Sequence, residues 1–243
     1  MAKPPDRSSR SISAQAQAFL QTAERTPPTS VEDTGAGGRL VFALDATASR
    51  EPTWDLAMGL QSEMFEVAAQ TGGLAVQLVF YRGFRECKAS GWRRNAAGLG
   101  ASMRAVRCLA GRTQIGRILA HAEKAARTGR APSLVFIGDA CEESRDTIAD
   151  QAGRLGLRGV KAFMFQEGAD PAARAVFKDV ARLTDGAYAQ FNAGAADRLR
   201  ALLGAVAAYA SGGAGGLRAF GRAGGAALNA ALLIGGPGGA GAS

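Results

Sequence analysis

A single histidine, His121, occurs in 243 residues, and this removes every metal site built from several imidazoles. The three cysteines, Cys87, Cys108 and Cys141, form neither an even set nor a Cys-x-x-Cys pair, which excludes disulfide scaffolds and zinc ribbons. No uninterrupted apolar run approaches the ~18 residues that suggest a bilayer-spanning helix. The polar, proline-bearing start, Met1 to Arg10, is not followed by the apolar stretch of a secretory signal. No Walker phosphate loop is present, and no RRM, KH or helix-turn-helix signature. These absences point to a reduced, cytoplasmic protein with no membrane partner. What remains, 47% hydrophobic and 21% charged residues, has room for one sizeable α/β domain plus tails.

The net charge of +8 is unevenly spread. Arg82 to Arg112 contains eight basic residues, Arg82, Arg85, Lys88, Arg93, Arg94, Arg104, Arg107 and Arg112, against one acid, Glu86. With Phe84 and Trp92 interleaved, such a segment can stack on exposed bases and contact phosphates, as an RNA-associated protein would. An acidic protein surface steered in by the patch is an equally good account. So is a solvated arginine-rich face, because arginine outnumbers lysine 24 to 5 throughout the chain.

Three regions differ in composition. Residues 1–38 read as a linker carrying one short amphipathic helix (Ile12, Ala16, Phe19, Leu20, Ala23) that packs on its own domain or docks a partner. Residues 39–210 form the domain. Residues 211–243 hold twelve of the 33 glycines and read as a flexible tail with one apolar patch, Ala226 to Ile234.

Within the domain, Leu40–Leu44 and Leu134–Ile137 are unbroken apolar runs, the pattern of strands buried on both faces. Ala75–Tyr81, Val160–Phe165 and Gly186–Phe191 predict further strands, and Phe84–Ala89 a short edge strand turning back at Arg82-Gly83. Helical spacing lies between them: Trp54 to Ala68, stopped by Gly72-Gly73; Gln114 to Arg127; a helix capped by Asp170-Pro171; and Leu199 to Val206. The alternation predicts a doubly wound, Rossmann-like α/β fold. Its six-stranded sheet is mostly parallel, with one short antiparallel edge strand and helices on both faces.

In such sheets ligands gather at the carboxyl ends of strands. The first apolar run ends in Asp45-Ala46-Thr47-Ala48-Ser49, three oxygen side chains at alternating positions on a tight loop. The second ends at Asp139, and Thr113 opens the helix that leads into it. Carboxylates and hydroxyls without His or Cys make an inventory suited to a hard cation, Mg²⁺ or Mn²⁺. Glu142 and Glu143 follow Asp139 and either cap the next helix or tune the cation from behind its ligands. Cys141 is a poor nucleophile candidate, since the only histidine lies mid-helix beside the apolar stripe Ile118, Leu119 and Ala122.

This chain resembles the von Willebrand factor type A (VWA) family over residues 38–210, in strand and helix order and in its metal-ion-dependent adhesion site. The family pattern is Asp-x-Ser-x-Ser after the first strand, a Thr in a second loop and an Asp after the fourth strand. Asp45, Thr47, Ser49, Thr113 and Asp139 match it, with Thr47 replacing the first Ser and keeping its hydroxyl. The resemblance implies that Thr47, Ser49 and Thr113 bind a divalent cation (Mg²⁺, with Mn²⁺ or Ca²⁺ as substitutes), while Asp45 and Asp139 act directly or through water. It further implies an open coordination position filled by a carboxylate of a partner protein. The expected function is therefore a non-catalytic adaptor or scaffold, beside an AAA+ ATPase or chaperone-like machine in bacterial-type relatives. The alternative is a Mg²⁺-dependent phosphatase-like hydrolase with Asp45 as nucleophile. That motif needs a second Asp where Thr47 stands, and a later Lys that is also missing.

Overall fold

A computed structural model describes residues 37–70, 72–192 and 196–223. The helix expected near Ile12 to Ala23 and the apolar patch at Ala226 to Ile234 lie outside the described residues.

The elements in chain order are β1 (Gly38–Asp45), a 3₁₀ turn (Ala48–Arg50), α1 (Glu51–Ala69), β2 (Leu74–Arg82), β3 (Glu86–Ala89), α2 (Ala96–Arg104), α3 (Ile115–Arg127), β4 (Ser133–Gly138), α4 (Arg145–Leu157), β5 (Ala162–Glu167), α5 (Pro171–Leu183), β6 (Ala187–Phe191) and α6 (Ala196–Ala223). One six-stranded sheet has the order β3-β2-β1-β4-β5-β6, parallel throughout except for β3, which pairs antiparallel with β2. The predicted fold class, including the short antiparallel edge strand, is thus the observed one.

The unbroken run of β1 has a direct physical reason, because both of its faces are covered. Leu40, Phe42 and Leu44 point into a core shared with α1, α2 and α6. Val41 and Ala43 point into a second core, filled from α3, α4 and α5. With β2 on one side and β4 on the other, β1 exposes almost nothing to water. Its polar end residue must then be placed by the fold and not by solvent.

Capping sets the helix starts. Asp170 caps α5, its Oδ1 accepting from the Ala173 N–H at 2.6 Å, with Pro171 in the first turn as expected. Asn95 caps α2 by accepting from the Gly98 N–H at 2.8 Å. α2 was not anticipated: its Ala-Ala-Gly-Leu-Gly-Ala-Ser-Met-Arg sequence has only Leu99 and Met103 as large apolar anchors, too few to show a period.

α6 continues through Ala223, into residues that composition assigns to the tail. Ala214 and Leu217 are buried there, and Phe220 fits against the bare Cα of Gly204, where a Cβ would lie 2.7 Å from the ring. The helix breaks at Gly213, whose φ of +60° suits glycine. Among the described residues no helix is long and apolar enough to cross a membrane.

The second core is keyed by aromatic packing: Phe136 of β4 stacks on Tyr81 and meets Phe177 of α5 edge-on, at centroid distances of 6.2 and 5.3 Å. Phe177→Ala is expected to destabilise the fold by about 3–5 kcal/mol. Leu157→Ala, at a 91% exposed position, should change stability by less than about 0.5 kcal/mol. Urea unfolding of the two variants measures both.

Candidate functional site

The strand order reverses between β1 and β4, since the chain builds outward from β1 to β2 and β3 and then from β4 to β5 and β6. Their carboxyl ends flank the crevice where open α/β sheets bind ligands. Asp45 closes β1, and Asp139 follows Gly138 at the end of β4. A Cβ on Gly138 would lie 3.8 Å from the Asp45 Cβ and 2.8 Å from the Phe136 ring, so the two strand ends approach closely.

Asp45 is 3% exposed. Its Oδ1 accepts the Thr47 backbone N–H at 2.7 Å, and the Thr47 hydroxyl bonds the same carboxylate. Burial nonetheless holds the Asp45 carboxyl above its ordinary value of 3.8, and the nearby Asp139 charge pushes the same way. The Tyr81 phenol lies beside Asp45, fully buried, with its hydroxyl directed at the Asp45 carboxylate. Burial raises its pKa far above the usual tyrosine range, and the Asp45 charge adds to this.

Thr113 follows β3 and α2 in the chain and precedes α3. The segment before it crosses the strand ends: the Leu109 N–H donates to the Ala46 carbonyl at 3.0 Å and the Arg112 N–H to the Gly83 carbonyl at 3.1 Å. Thr113 itself is buried and locked to the loop after β4. Its hydroxyl accepts from the Glu142 N–H at 2.9 Å, and its own N–H donates to the Glu142 carboxylate at 3.4 Å. Glu143 caps a helix, but α3 rather than the following one: its carboxylate accepts from the N–H groups of Ile115 and of Gly116, the latter at 3.0 Å. Ser49 lies in the 3₁₀ turn, and its side chain is outside the described residues.

Two residues absent from the sequence-based set also reach this edge. The Arg50 guanidinium pairs with Asp139 at 3.4 Å and with Glu167 at the end of β5, whose carboxylate also accepts from the Thr53 hydroxyl. A signal for Glu167 existed, because Ala162–Glu167 is a third buried strand delivering an acid to the same edge. No such signal marked Arg50, which is one more arginine in an arginine-rich chain. His121, by contrast, is away from the site and bonds Gln77 at 2.9 Å, with burial lowering its pKa.

Of the basic segment, Arg82 is half-buried and the other seven cations are exposed. Arg82, Lys88 and Arg93 line a cleft between the sheet edge and α2.

No protein-family model matches the chain, and no curated protein does. Solved structures do match. A von Willebrand factor type A protein from Catenulispora acidiphila is 17% identical with a TM-score of 0.57, over 71% of this chain and 43% of that one. The SpRpn10 VWA domain is 13% identical with a TM-score of 0.53, over 65% and 89%. The vWF domain of the type V pili tip protein Mfa5 from Porphyromonas gingivalis is 10% identical with a TM-score of 0.52, over 72% and 95%. The chain has the VWA fold. It spans less than half of the Catenulispora protein, and nearly the whole of the other two VWA domains corresponds to it.

The VWA crevice of this chain offers a cation oxygen donors only. Among the described residues no three His, Cys, Asp or Glu side chains cluster as a metal site. The Asp45 and Asp139 carboxylates and the Thr47 hydroxyl are donor types that suit Mg²⁺, and the Arg50 guanidinium is already paired with Asp139. The buried Asp45 charge is the feature such an ion would satisfy.

Because the folded protein binds the Asp45 proton more tightly than the unfolded chain does, this group favours folding most below its ordinary value of 3.8. That advantage disappears as pH rises through the elevated folded value. In EDTA, Asp45→Asn is expected to raise the melting temperature at neutral pH and to lose that gain in acid. Thermal melts of both proteins across pH check the crossover.

Proposed function

We propose that the chain is a non-catalytic protein-binding module, an adaptor or scaffold that captures a partner carboxylate through a divalent cation at the β1–β4 crevice. The observation that supports this best is Asp45, a carboxylate at the switch point that the fold buries against its own electrostatic preference. A divalent cation relieves that penalty and gives the buried charge a purpose.

Asp45, Thr47, Ser49, Thr113 and Asp139 would hold the ion, Mg²⁺ first and Mn²⁺ or Ca²⁺ as substitutes. Bound, it supplies a Lewis-acidic centre with affinity for an outside carboxylate. The chain's own residues do the positioning. Thr47 orients the Asp45 carboxylate through its N–H, Glu142 fixes Thr113 from both its N–H and its hydroxyl, and Arg50 holds Asp139 while tying the loop to Glu167. The few anionic groups leave an ion electrophilic, which suits recognition of an aspartate or glutamate on a partner. The family resemblance associates such partners with AAA+ ATPases or chaperone-like machines. The three half-buried cysteines carry free thiols, in keeping with a cytoplasmic setting. The phosphatase-like reading gains no support, because Thr47 stands where that chemistry needs a second carboxylate.

Saturating Mg²⁺, near 100 times its dissociation constant, is expected to add about 2.7 kcal/mol of stability. For a domain of this size that raises the melting temperature by about 5–10 °C. Asp45→Ala and Thr113→Val should remove the shift. Pull-downs with and without EDTA test the bridge, and the same captured proteins in both would overturn it.

A further inference from the structure

Between the sheet edge and α2 lies a cleft of about 520 Å³ that the metal reading does not use. Its floor is Leu78 and Phe80 of β2, both buried. Opposite Phe80 in the antiparallel register stands Lys88, so floor and rim share one face of the sheet. The wall is α2 with its C-cap residue Ala105; Gly98, Ala101, Ser102 and Ala105 line the cleft, a row at helical spacing too short to fill it.

The rim carries three cations, Arg82, Lys88 and Arg93. The acid beside them is Glu86, which bonds Arg82 at 2.9 Å and Lys88 at 2.7 Å and is held down to about 2, first by the Arg82 hydrogen bond. One carboxylate shared by one guanidinium and one ammonium group leaves the rim of three cations net positive, and the Lys88 side chain is 63% exposed. An apolar floor under a cationic rim is complementary to an anionic chain bearing aliphatic side chains.

Nucleic acid fits less well, because sequence-tolerant RNA binding stacks bases on exposed rings. Phe80 is 8% exposed and lies 5.7 Å below the Arg82 guanidinium, and Trp92 is covered by Arg39 at 4.3 Å. Phe84 is exposed but does not line the cleft. β3 is moreover the edge strand of the sheet, a place where an extended peptide can add backbone hydrogen bonds.

We infer that the cleft between β2–β3 and α2 is a docking site for an acidic peptide segment with aliphatic anchors, separate from the crevice at Asp45 and independent of a divalent cation. The aliphatic side chains enter over Leu78 and Phe80, and the carboxylates face Lys88, Arg93 and Arg82.

The test is fluorescence anisotropy on the full chain in EDTA, with a short fluorescein-labelled peptide of alternating Asp and Leu as the probe. Lys88→Glu combined with Arg93→Glu is expected to weaken binding by about tenfold or more, as is Ala101→Trp, which fills the cleft from an exposed helix position. Replacing every Leu of the probe by Ser should weaken it as much. Ala105→Met serves as a second filling variant should Ala101→Trp fail to fold. The inference is overturned if the Ser probe binds within about twofold of the Leu probe, since charge alone would then explain binding. Indifference to both filling variants overturns it as well. So does a labelled oligouridine that binds more tightly than the peptide and is lost in the same variants. Because EDTA is present throughout, failure here is distinct from failure of the metal-bridged reading.

Discussion

The carboxylate of Asp45 sits where a charge is least welcome. β1 is flanked on both sides by parallel neighbours and covered on both faces by helices, so its last residue emerges not into water but into the crevice between its own end and that of β4. The Thr47 N–H and hydroxyl answer part of that charge, and burial still wins. The surrounding loops are arranged around this one group: Gly138 lets β4 end beside it, Tyr81 stands next to it, and the segment from Leu109 to Thr113 is pinned across the neighbouring strand ends.

The loops that meet at the crevice are joined on one flank by acids acting on backbone groups and on the other by opposite charges. Glu142 holds Thr113, and Glu143 caps α3 two residues further on, so one short stretch after β4 sets both the hydroxyl and the start of the helix that follows it. A carboxylate on free N–H groups at a helix start satisfies orphan donors and complements the helix dipole at once. On the other flank, Arg50 joins Asp139 and Glu167, fastening the 3₁₀ turn to β5. Asp139 is thereby shared between a fixed guanidinium and the crevice. Any cation drawn to the crevice meets that guanidinium as a like charge.

The basic segment contributes in two ways that net charge does not reveal. Its later part is fastened by the Leu109 and Arg112 N–H groups to the Ala46 and Gly83 carbonyls and leads to Thr113, while Arg82, Lys88, Arg93, Ala105 and Val106 line the cleft beside α2. In the proposed peptide docking, the exposed cations would supply long-range attraction and the cleft would supply shape. Attraction without shape would leave a surface that accepts any anion.

The fold class, with its parallel strands and short antiparallel edge strand, was legible in the sequence, as was the position of Asp45 at the end of a buried strand. Unbroken apolar runs such as Leu40–Leu44 report burial on both faces, and Asp170-Pro171 reports a cap, because each is a local pattern with one physical meaning. α2 was not legible, since two apolar anchors among glycines and alanines define no period. The end of α6 was not legible either, because burial of Ala214 and Leu217 depends on what they pack against and composition counts only glycines. Tertiary structure alone decided that Glu143 caps α3, that Arg50 pairs with Asp139 and Glu167, and that Gly98, Ala101 and Ala105 face a cavity. Those facts depend on which distant segments meet, and a one-dimensional pattern carries the period of an element but not the identity of its neighbour.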